Sequence, residues 1–131
     1  MSKRKNTRIK VTNVRVTKNT VTMKVNGKPV WDRWKRTPRV PMVGHYKRKQ
    51  PMCMVDRKIR DTREEESIAF HEGIERDLRF KHGWGPLQAH RFANKTEGKW
   101  DHKHGINIPK LNRDVERVFR KNRIPGQRRK R

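Results

Sequence analysis

The chain has 131 residues, of which 37 are Lys or Arg and 13 are Asp or Glu, so its formal net charge is +24. Only 30% of the residues are hydrophobic, which restricts the chain to one small core, and no apolar run approaches the roughly 20 residues of a membrane span. Cys53 is the single cysteine, so an internal disulfide and a CxxC zinc ribbon are excluded, and the basic N-terminus lacks the apolar stretch of a signal peptide.

The N-terminal part of the chain is predicted to form β-strands. After a basic arm at residues 1–7, apolar and polar residues alternate between residues 9 and 25 with the period of half-buried strands. Asn26 and Gly27 follow, and this pair is typical of a type I′ turn, whose two central residues both need a positive φ. We expect a hairpin between residues 20–25 and 28–33.

Two tryptophans, Trp31 and Trp34, lie at the end of this hairpin among basic residues. Aromatic rings between cations can stack on bases while the cations bind phosphates, although packing in the core is the commoner role of tryptophans beside a strand. Residues 37–51 contain three prolines and are predicted to be irregular. A short strand at residues 52–55 then joins the sheet.

Two neighbouring helices are predicted next. Asp61 and Thr62 are candidate N-caps for a helix at residues 62–81, whose first turn carries acidic residues that complement its positive end. A Gly-Trp-Gly-Pro segment at residues 83–86 ends this helix and starts a second one at residues 86–100, with the proline in its first turn. Because the connection is so short, we expect the two helices to lie side by side.

A third helix is expected at residues 110–122. Its buried residues are predicted from their helical spacing to be Leu111, Val115, Val118 and Phe119. The remaining residues, 123–131, are predicted to form a basic tail that has no core to join and that binds a polyanion.

Polar residues interrupt the apolar sides of the first two helices. The apolar residues are Ile68, Phe70, Ile74 and Leu78 in the first helix and Leu87, Ala89, Ala93 and Trp100 in the second. His71 and Glu75 fall within the first set, whereas His90 and Glu97, with Asn94 beside them, fall at the centre of the second. Burying a polar group without a partner costs about 2–7 kcal/mol. We therefore predict that the two polar sides meet in one shared site.

The residue types at this site suit a transition-metal ion. His71, Glu75, His90 and Glu97 offer two nitrogen and two oxygen donors, a set that binds Zn²⁺, Mn²⁺ or Fe²⁺, and we take zinc as the first candidate. Glu72 directly follows His71, where a zinc hydrolase carries the glutamate that polarises the metal-bound water. Glu72 is therefore the candidate catalytic residue.

The motif His71-Glu72-Gly73-Ile74-Glu75, followed by Ala89-His90 and then Glu97, resembles short uncharacterised proteins of phages and prokaryotes with the pattern H-E-x-I/V-E, A-H and a distal E. These proteins look like minimal relatives of the zincin metallopeptidases. The resemblance covers about residues 55–100 and implies that His71, Glu75 and His90 bind a metal and that Glu72 is the base. The chain departs from the zincins at Glu75, where they have a second histidine.

A second interpretation of the same residues needs no metal. Two buried His-Glu pairs can hydrogen-bond to each other across a helix interface and orient the two helices in a small core. The sequence leaves both interpretations open.

Charge is unevenly distributed along the chain. Residues 1–55 carry sixteen Lys or Arg and one acid, Asp32, whereas eight of the thirteen acids lie between Asp56 and Asp77. This excess of positive charge indicates nucleic acid or a nucleoprotein assembly as the partner. The candidate contacts are Lys3, Arg4, Lys5, Arg33, Lys35, Arg36, Lys47, Arg48, Lys49, Arg128, Arg129, Lys130 and Arg131. Any one of these side chains could equally be solvated without a partner.

Together these patterns predict a single α+β domain at residues 8–122. A small N-terminal antiparallel sheet would pack on the helical hairpin and the C-terminal helix, with extended basic termini at residues 1–7 and 123–131. We expect a protein that binds nucleic acid or a nucleoprotein particle such as a ribosome or a phage virion. The alternative is a zincin-like metal-dependent hydrolase. We expect an intracellular location, in the cytoplasm or within such a particle, with no membrane partner and no disulfide partner.

Overall fold

The computed structural model of the protein describes residues 9–40 and 42–122, which form five strands and three helices. The strands are β1 (Val11–Val16), β2 (Thr20–Val25), β3 (Lys28–Thr37), β4 (Gly44–Tyr46) and β5 (Met52–Asp56). The helices are α1 (Thr62–Lys81), α2 (Pro86–Lys103) and α3 (Ile108–Asn122). These elements confirm the predicted α+β class. The predicted basic arm at residues 1–7 and the basic tail at 123–131 lie outside the described residues.

The five strands form one mixed sheet in the order β1-β2-β3-β5-β4. The first three strands are antiparallel, but β5 pairs parallel with β3 and antiparallel with β4. The prediction of a wholly antiparallel sheet is therefore wrong. Residues 37–51 were predicted to be irregular, but Thr37 is the last residue of β3 and residues 44–46 form β4. Strand β4 pairs with the edge of β5 that faces away from β3, and the chain then turns so that β5 runs in the same direction as β3.

The hairpin between β2 and β3 is confirmed. Asn26 and Gly27 have φ values of 53° and 81°, as both central positions of a type I′ turn require. The register pairs Val25 with Lys28 across this turn. Strand β3 continues to Thr37, beyond the predicted end of the hairpin at residue 33, because its second half pairs with β5.

Helix α1 lies between the sheet and α2. The Asp61 carboxylate accepts hydrogen bonds from the backbone N–H groups of Arg63 and Glu64, which confirms the predicted N-cap. At Gly73, in the middle of the helix, a methyl group would lie 3.5 Å from both Met23 and Val21 on the sheet. These are ordinary van der Waals distances, so α1 packs directly on the sheet at this point.

The apolar side of α2 differs from the predicted one. Ala89 and Ala93 are buried against α1, and Trp100 is partly buried with its ring centroid 5.5 Å from that of Phe70. Leu87, in contrast, is 61% exposed, so its predicted burial is wrong. At about 100° per residue Leu87 lies roughly 200° from Ala89, on the opposite side of the helix.

Helix α3 closes the small core. It starts at Ile108 and packs the predicted residues Leu111, Val115, Val118 and Phe119 into the core. Its last residue, Asn122, donates hydrogen bonds to the carboxylate of Asp56 and to the backbone oxygen of Val40. These bonds connect the end of α3 to the end of β5. Within the described ranges, no helix is long and apolar enough to cross a membrane.

Candidate metal centre

Three donor atoms from α1 and α2 converge at one point. His71 Nε2 lies 2.7 Å from Glu75 Oε2, the same Oε2 lies 2.8 Å from His90 Nδ1, and the two ring nitrogens are 3.3 Å apart. A tetrahedral ion with metal–ligand bonds of about 2.0–2.1 Å holds adjacent donors roughly 3.3 Å apart. The triangle of donors is slightly smaller than this, because hydrogen bonds join its corners. These three residues form a group that could hold a metal ion.

The two helices give the site one buried side and one exposed side. His71 and Glu75 are one helical turn apart on α1, and only 8% and 11% of their side chains are exposed. The side chain of His90, in the first half of α2, is 45% exposed. The donor atoms are therefore enclosed on the α1 side and more accessible to solvent on the α2 side.

The second polar atom of each α1 donor has its own partner. His71 Nδ1 hydrogen-bonds Glu97 Oε1 at 2.8 Å, and Glu75 Oε1 accepts a hydrogen bond of 3.1 Å from the Tyr46 hydroxyl on β4. Arg79 donates in turn to that hydroxyl at 2.8 Å. Outer hydrogen bonds of this kind fix the tautomer and the orientation of metal ligands. A His71 ring that donates Nδ1–H to Glu97 presents the lone pair of Nε2 to the centre.

The outer nitrogen of His90 also has a partner. Asn94 Nδ2 lies 3.2 Å from His90 Nε2, one turn further along α2. For His90 to bind an ion through Nδ1, Nε2 must carry the ring proton, and the Asn94 amide would then turn to present its oxygen. All three candidate ligands thus have a neighbour that can orient them.

Glu97 occupies a different position from the one expected of a ligand. It bonds Nδ1 of His71, the nitrogen that points away from the donor triangle, and its other oxygen accepts a hydrogen bond of 2.9 Å from Ser67. Ser67 also lies 2.6 Å from Asp101 Oδ1. Burial raises the pKa of Asp101 to about 7, against the Ser67 hydrogen bond, which lowers it. Glu97 therefore belongs to a second layer behind His71.

The protonation state of His71 decides whether the cluster can bind a metal ion or is a hydrogen-bonded His-Glu network. Burial alone would lower its pKa, but hydrogen bonds to Glu75 and Glu97 outweigh burial and raise the pKa to about 10. Burial raises the pKa of Glu75, yet its bonds to the two histidines outweigh that and leave the pKa lowered. Without metal, the cluster is thus a satisfied ion-pair network around a charged imidazole. A metal ion would have to displace a proton from His71.

Glu72, the candidate catalytic residue, points towards the sheet. A methyl group at Gly44 of β4 would lie 2.6 Å from Glu72 Oε2, so glycine leaves the space that this carboxyl fills. Burial raises the pKa of Glu72 to about 8, against the nearby charge of His71, which lowers it. Glu72 is next to the donor triangle along the helix, but the structure does not bring its carboxyl into the hydrogen bonds of the cluster.

Sequence reasoning missed two residues of the cluster that a helical period could have found. Ser67 precedes His71 by one turn, and Asp101 follows Glu97 by one turn, so both lie on the sides already singled out. Tyr46 was also missed, and no local signal identifies it, because it reaches Glu75 from a three-residue strand.

The candidate nucleic-acid contacts fall into three groups. Arg33 and Lys35 are exposed on β3, and residues 47–49 are exposed in the connection between β4 and β5. Arg36 is engaged within the protein, because its Nε and Nη2 both donate to the carboxylate of Glu65. The remaining candidates lie outside the described residues, and they are Lys3, Arg4, Lys5, Arg128, Arg129, Lys130 and Arg131.

Comparison of the chain with protein-family models, with curated proteins and with solved structures finds no match. The resemblance to phage proteins and zincins therefore stays a prediction.

Proposed function

We propose that this protein binds nucleic acid or a nucleoprotein particle and contains a centre for one divalent transition-metal ion. The metal part is supported by the convergence of His71, Glu75 and His90, each with an outer hydrogen-bond partner. Hydrogen-bonded carboxylate–histidine arrangements are typical of metal sites. Zinc is the first candidate, because three nitrogen and oxygen donors with one open position are a common zinc environment. Manganese and iron accept the same donors.

The nucleic-acid part is supported by how the charges are divided between the interior and the surface. Eight of the thirteen acidic residues are buried, and they are Asp32, Asp56, Glu64, Glu65, Glu72, Glu75, Asp77 and Asp101. None of the Lys or Arg residues in the described ranges is buried. The surface is therefore more basic than the composition alone implies, and such a surface attracts a polyanion.

A metal-dependent hydrolase is the second candidate function, supported by the open side of the centre at His90. A bound ion would supply Lewis acidity there. The chain would need a base beside the open side, and Glu72 is the candidate. Its carboxyl lies against Gly44, so this role requires rotation of the Glu72 side chain towards His71.

A calorimetric titration with Zn²⁺ after chelator treatment tests the metal centre. We expect the chain to bind a single ion with His71, Glu75 and His90 intact, and His90→Ala to lose this binding because it removes one corner of the triangle. His102→Ala is the matched control, since His102 is an exposed histidine on the same helix. The metal centre is wrong if the unaltered protein takes up no zinc, or if His90→Ala binds it as tightly.

The salt dependence of oligonucleotide affinity tests the nucleic-acid part. A protein that neutralises phosphates releases counterions, so log K should fall linearly with log salt concentration. Absence of binding at low salt would contradict this part. Hydrolysis would be supported if Glu72→Gln lost a metal-dependent turnover while still binding zinc.

A further inference from the structure

The two faces of the sheet are covered to very different extents. Alternate residues of β3, namely Val30, Asp32 and Trp34, are buried on the inner face, towards α1. The intervening residues of β3 are exposed on the outer face, and Trp31 among them is 50% exposed. Trp31 therefore places a large, half-exposed aromatic ring on the outer face of the sheet.

Trp31 differs from the other three tryptophans of the chain. Trp34 donates its indole N–H to the backbone oxygen of Thr17, Trp84 packs edge-on against Phe92, and Trp100 contacts Phe70. The Trp31 side chain makes no hydrogen bond and no ring contact with any other residue in ranges 9–40 and 42–122. Its ring is thus available to a partner.

The strand register places cations around this ring. Directly paired residues project from the same face of a sheet. The outer-face rows are therefore Thr12–Lys24–Pro29, Arg15–Thr22–Trp31, Thr20–Arg33–Met52 and Lys35–Met54–His45. These rows carry four Lys or Arg residues and no acidic residue. The next row pairs Thr37 with Asp56, which is fully buried and hydrogen-bonded to Val40 and Lys58.

The four cations of this face are also unmatched. The side chains of Arg15, Lys24, Arg33 and Lys35 are exposed, and none of them makes an ion pair with a carboxylate of residues 9–40 and 42–122. Arg36, the next cation along β3, projects from the inner face and is paired with Glu65. The outer face therefore combines an unpartnered aromatic ring with uncompensated positive charge, which is the chemistry that single-stranded nucleic acid binds.

We propose that the outer face of the sheet binds single-stranded nucleic acid, with a base stacked on Trp31 and phosphates bound by Arg15, Lys24, Arg33 and Lys35. This inference rests on the nucleic-acid part of the proposed function and deepens it. A duplex would leave Trp31 without a base to stack on, because the base faces of a duplex are covered by stacking on one another. Stacking and phosphate contacts do not read the 2′-hydroxyl, so DNA and RNA strands bind alike.

Fluorescence anisotropy with dye-labelled oligothymidylate and oligouridylate tests this proposal on the full chain. Trp31→Ala should weaken both affinities about 5- to 150-fold, the loss expected for one stacked base. Trp31→Phe should restore most of the affinity. Arg33→Ala should reduce the slope of log K against log salt by about 0.7, since one phosphate contact is lost. Duplex affinity should not change in Trp31→Ala.

Lys99→Ala is the matched control, because Lys99 is an exposed cation on α2, away from the sheet. It should change the oligonucleotide affinity little. An unchanged melting temperature of Trp31→Ala would confirm that the variant folds, as expected for a half-exposed side chain without ring contacts.

The outcomes separate this inference from the broader proposal. If Trp31→Ala loses no more affinity than Lys99→Ala while salt-dependent binding persists, the sheet face is not the binding surface, but the protein still binds nucleic acid. If the unaltered protein binds no oligonucleotide at low salt, both proposals are wrong. Trp31-dependent binding to anionic phosphatidylserine vesicles without oligonucleotide binding would identify the face as membrane-binding and overturn the inference.

Discussion

The cluster between α1 and α2 and the outer face of the sheet both concentrate polar groups, but the charges of the cluster are paired and buried, whereas those of the sheet face are unpaired and exposed. In the cluster, His71 is enclosed and each of its nitrogens faces a carboxylate. On the sheet, Arg33 and Lys35 are exposed beside Trp31 and have no carboxylate partner in the described chain. A matched, enclosed cluster suits a small ligand such as a proton or a metal ion, whereas an unmatched, open face suits a polyanion. Variants should therefore affect one region without the other.

Removal of the His71 imidazole should give the largest effect on stability. His71→Ala leaves the buried Glu75 and the partly buried Glu97 without their common partner, and breaking a buried ion pair in this way costs about 3–5 kcal/mol. The free energy of unfolding from urea titrations measures this loss. Arg33→Ala on the sheet should change it by less than about 0.5 kcal/mol. If His71→Ala and Arg33→Ala lowered the free energy of unfolding equally, the His71 cluster would not be the more stabilising of the two regions.

The pH dependence of stability should give the next largest effect, and its direction should reverse when zinc is bound. The pKa of His71 is raised from 6.5 to about 10, so the stability it contributes is complete below pH 6.5 and is lost as the pH rises through 10. The raised pKa of Glu72, about 8, acts in the same direction at lower pH. The urea concentration at which half of the metal-free protein is unfolded should therefore decrease as the pH rises from 6.5 to 10.

The stability of the zinc-bound protein should show the opposite pH dependence. Zinc competes with the proton on His71, so the stabilisation that zinc provides increases with pH. Glu72→Gln is a useful control, because glutamine does not titrate. The metal-free variant should lose the part of the pH-dependent decrease in stability that comes from Glu72 and keep the part that comes from His71. Metal-free stability that rises between pH 6.5 and 10 would show that His71 is not held as a cation.

Glu97→Gln should give a smaller effect, on metal affinity and not on oligonucleotide affinity. The amide keeps a hydrogen bond to His71 Nδ1 but loses the negative charge, and changes of this kind in outer partners weaken metal binding about 10- to 100-fold. A zinc titration should then show reduced affinity with unchanged stoichiometry, whereas oligonucleotide affinity should be unaffected. Loss of the zinc stoichiometry itself would indicate that Glu97 is a direct ligand, as the sequence first suggested.

The parts of the fold that the sequence predicted depend on interactions between near neighbours. The positive φ values at Asn26 and Gly27 define a turn, and the Asp61 side chain caps α1 within three residues. Strand β4 could not be predicted in the same way. It is three residues long, and its place at the edge of the sheet depends on pairing with β5 rather than on its own residues.

The candidate site shows the same limit. Helical spacing and the short connection between α1 and α2 were enough to predict that His71, Glu75 and His90 converge. The position of Glu97 was not predictable, because the rotation of α2 about its axis decides which nitrogen of His71 it meets. The contact of Glu75 with Tyr46 depends on where the edge strand of the sheet lies, which no pattern within α1 contains.

Elemental analysis of protein purified without an affinity tag tests the metal centre most directly. We expect about one zinc ion per chain, little metal in His90→Ala, and a lower melting temperature after chelator treatment. A chain that carries no metal, whose melting temperature neither chelator nor added zinc changes, would contradict the metal centre and leave the cluster as a hydrogen-bonded part of the core.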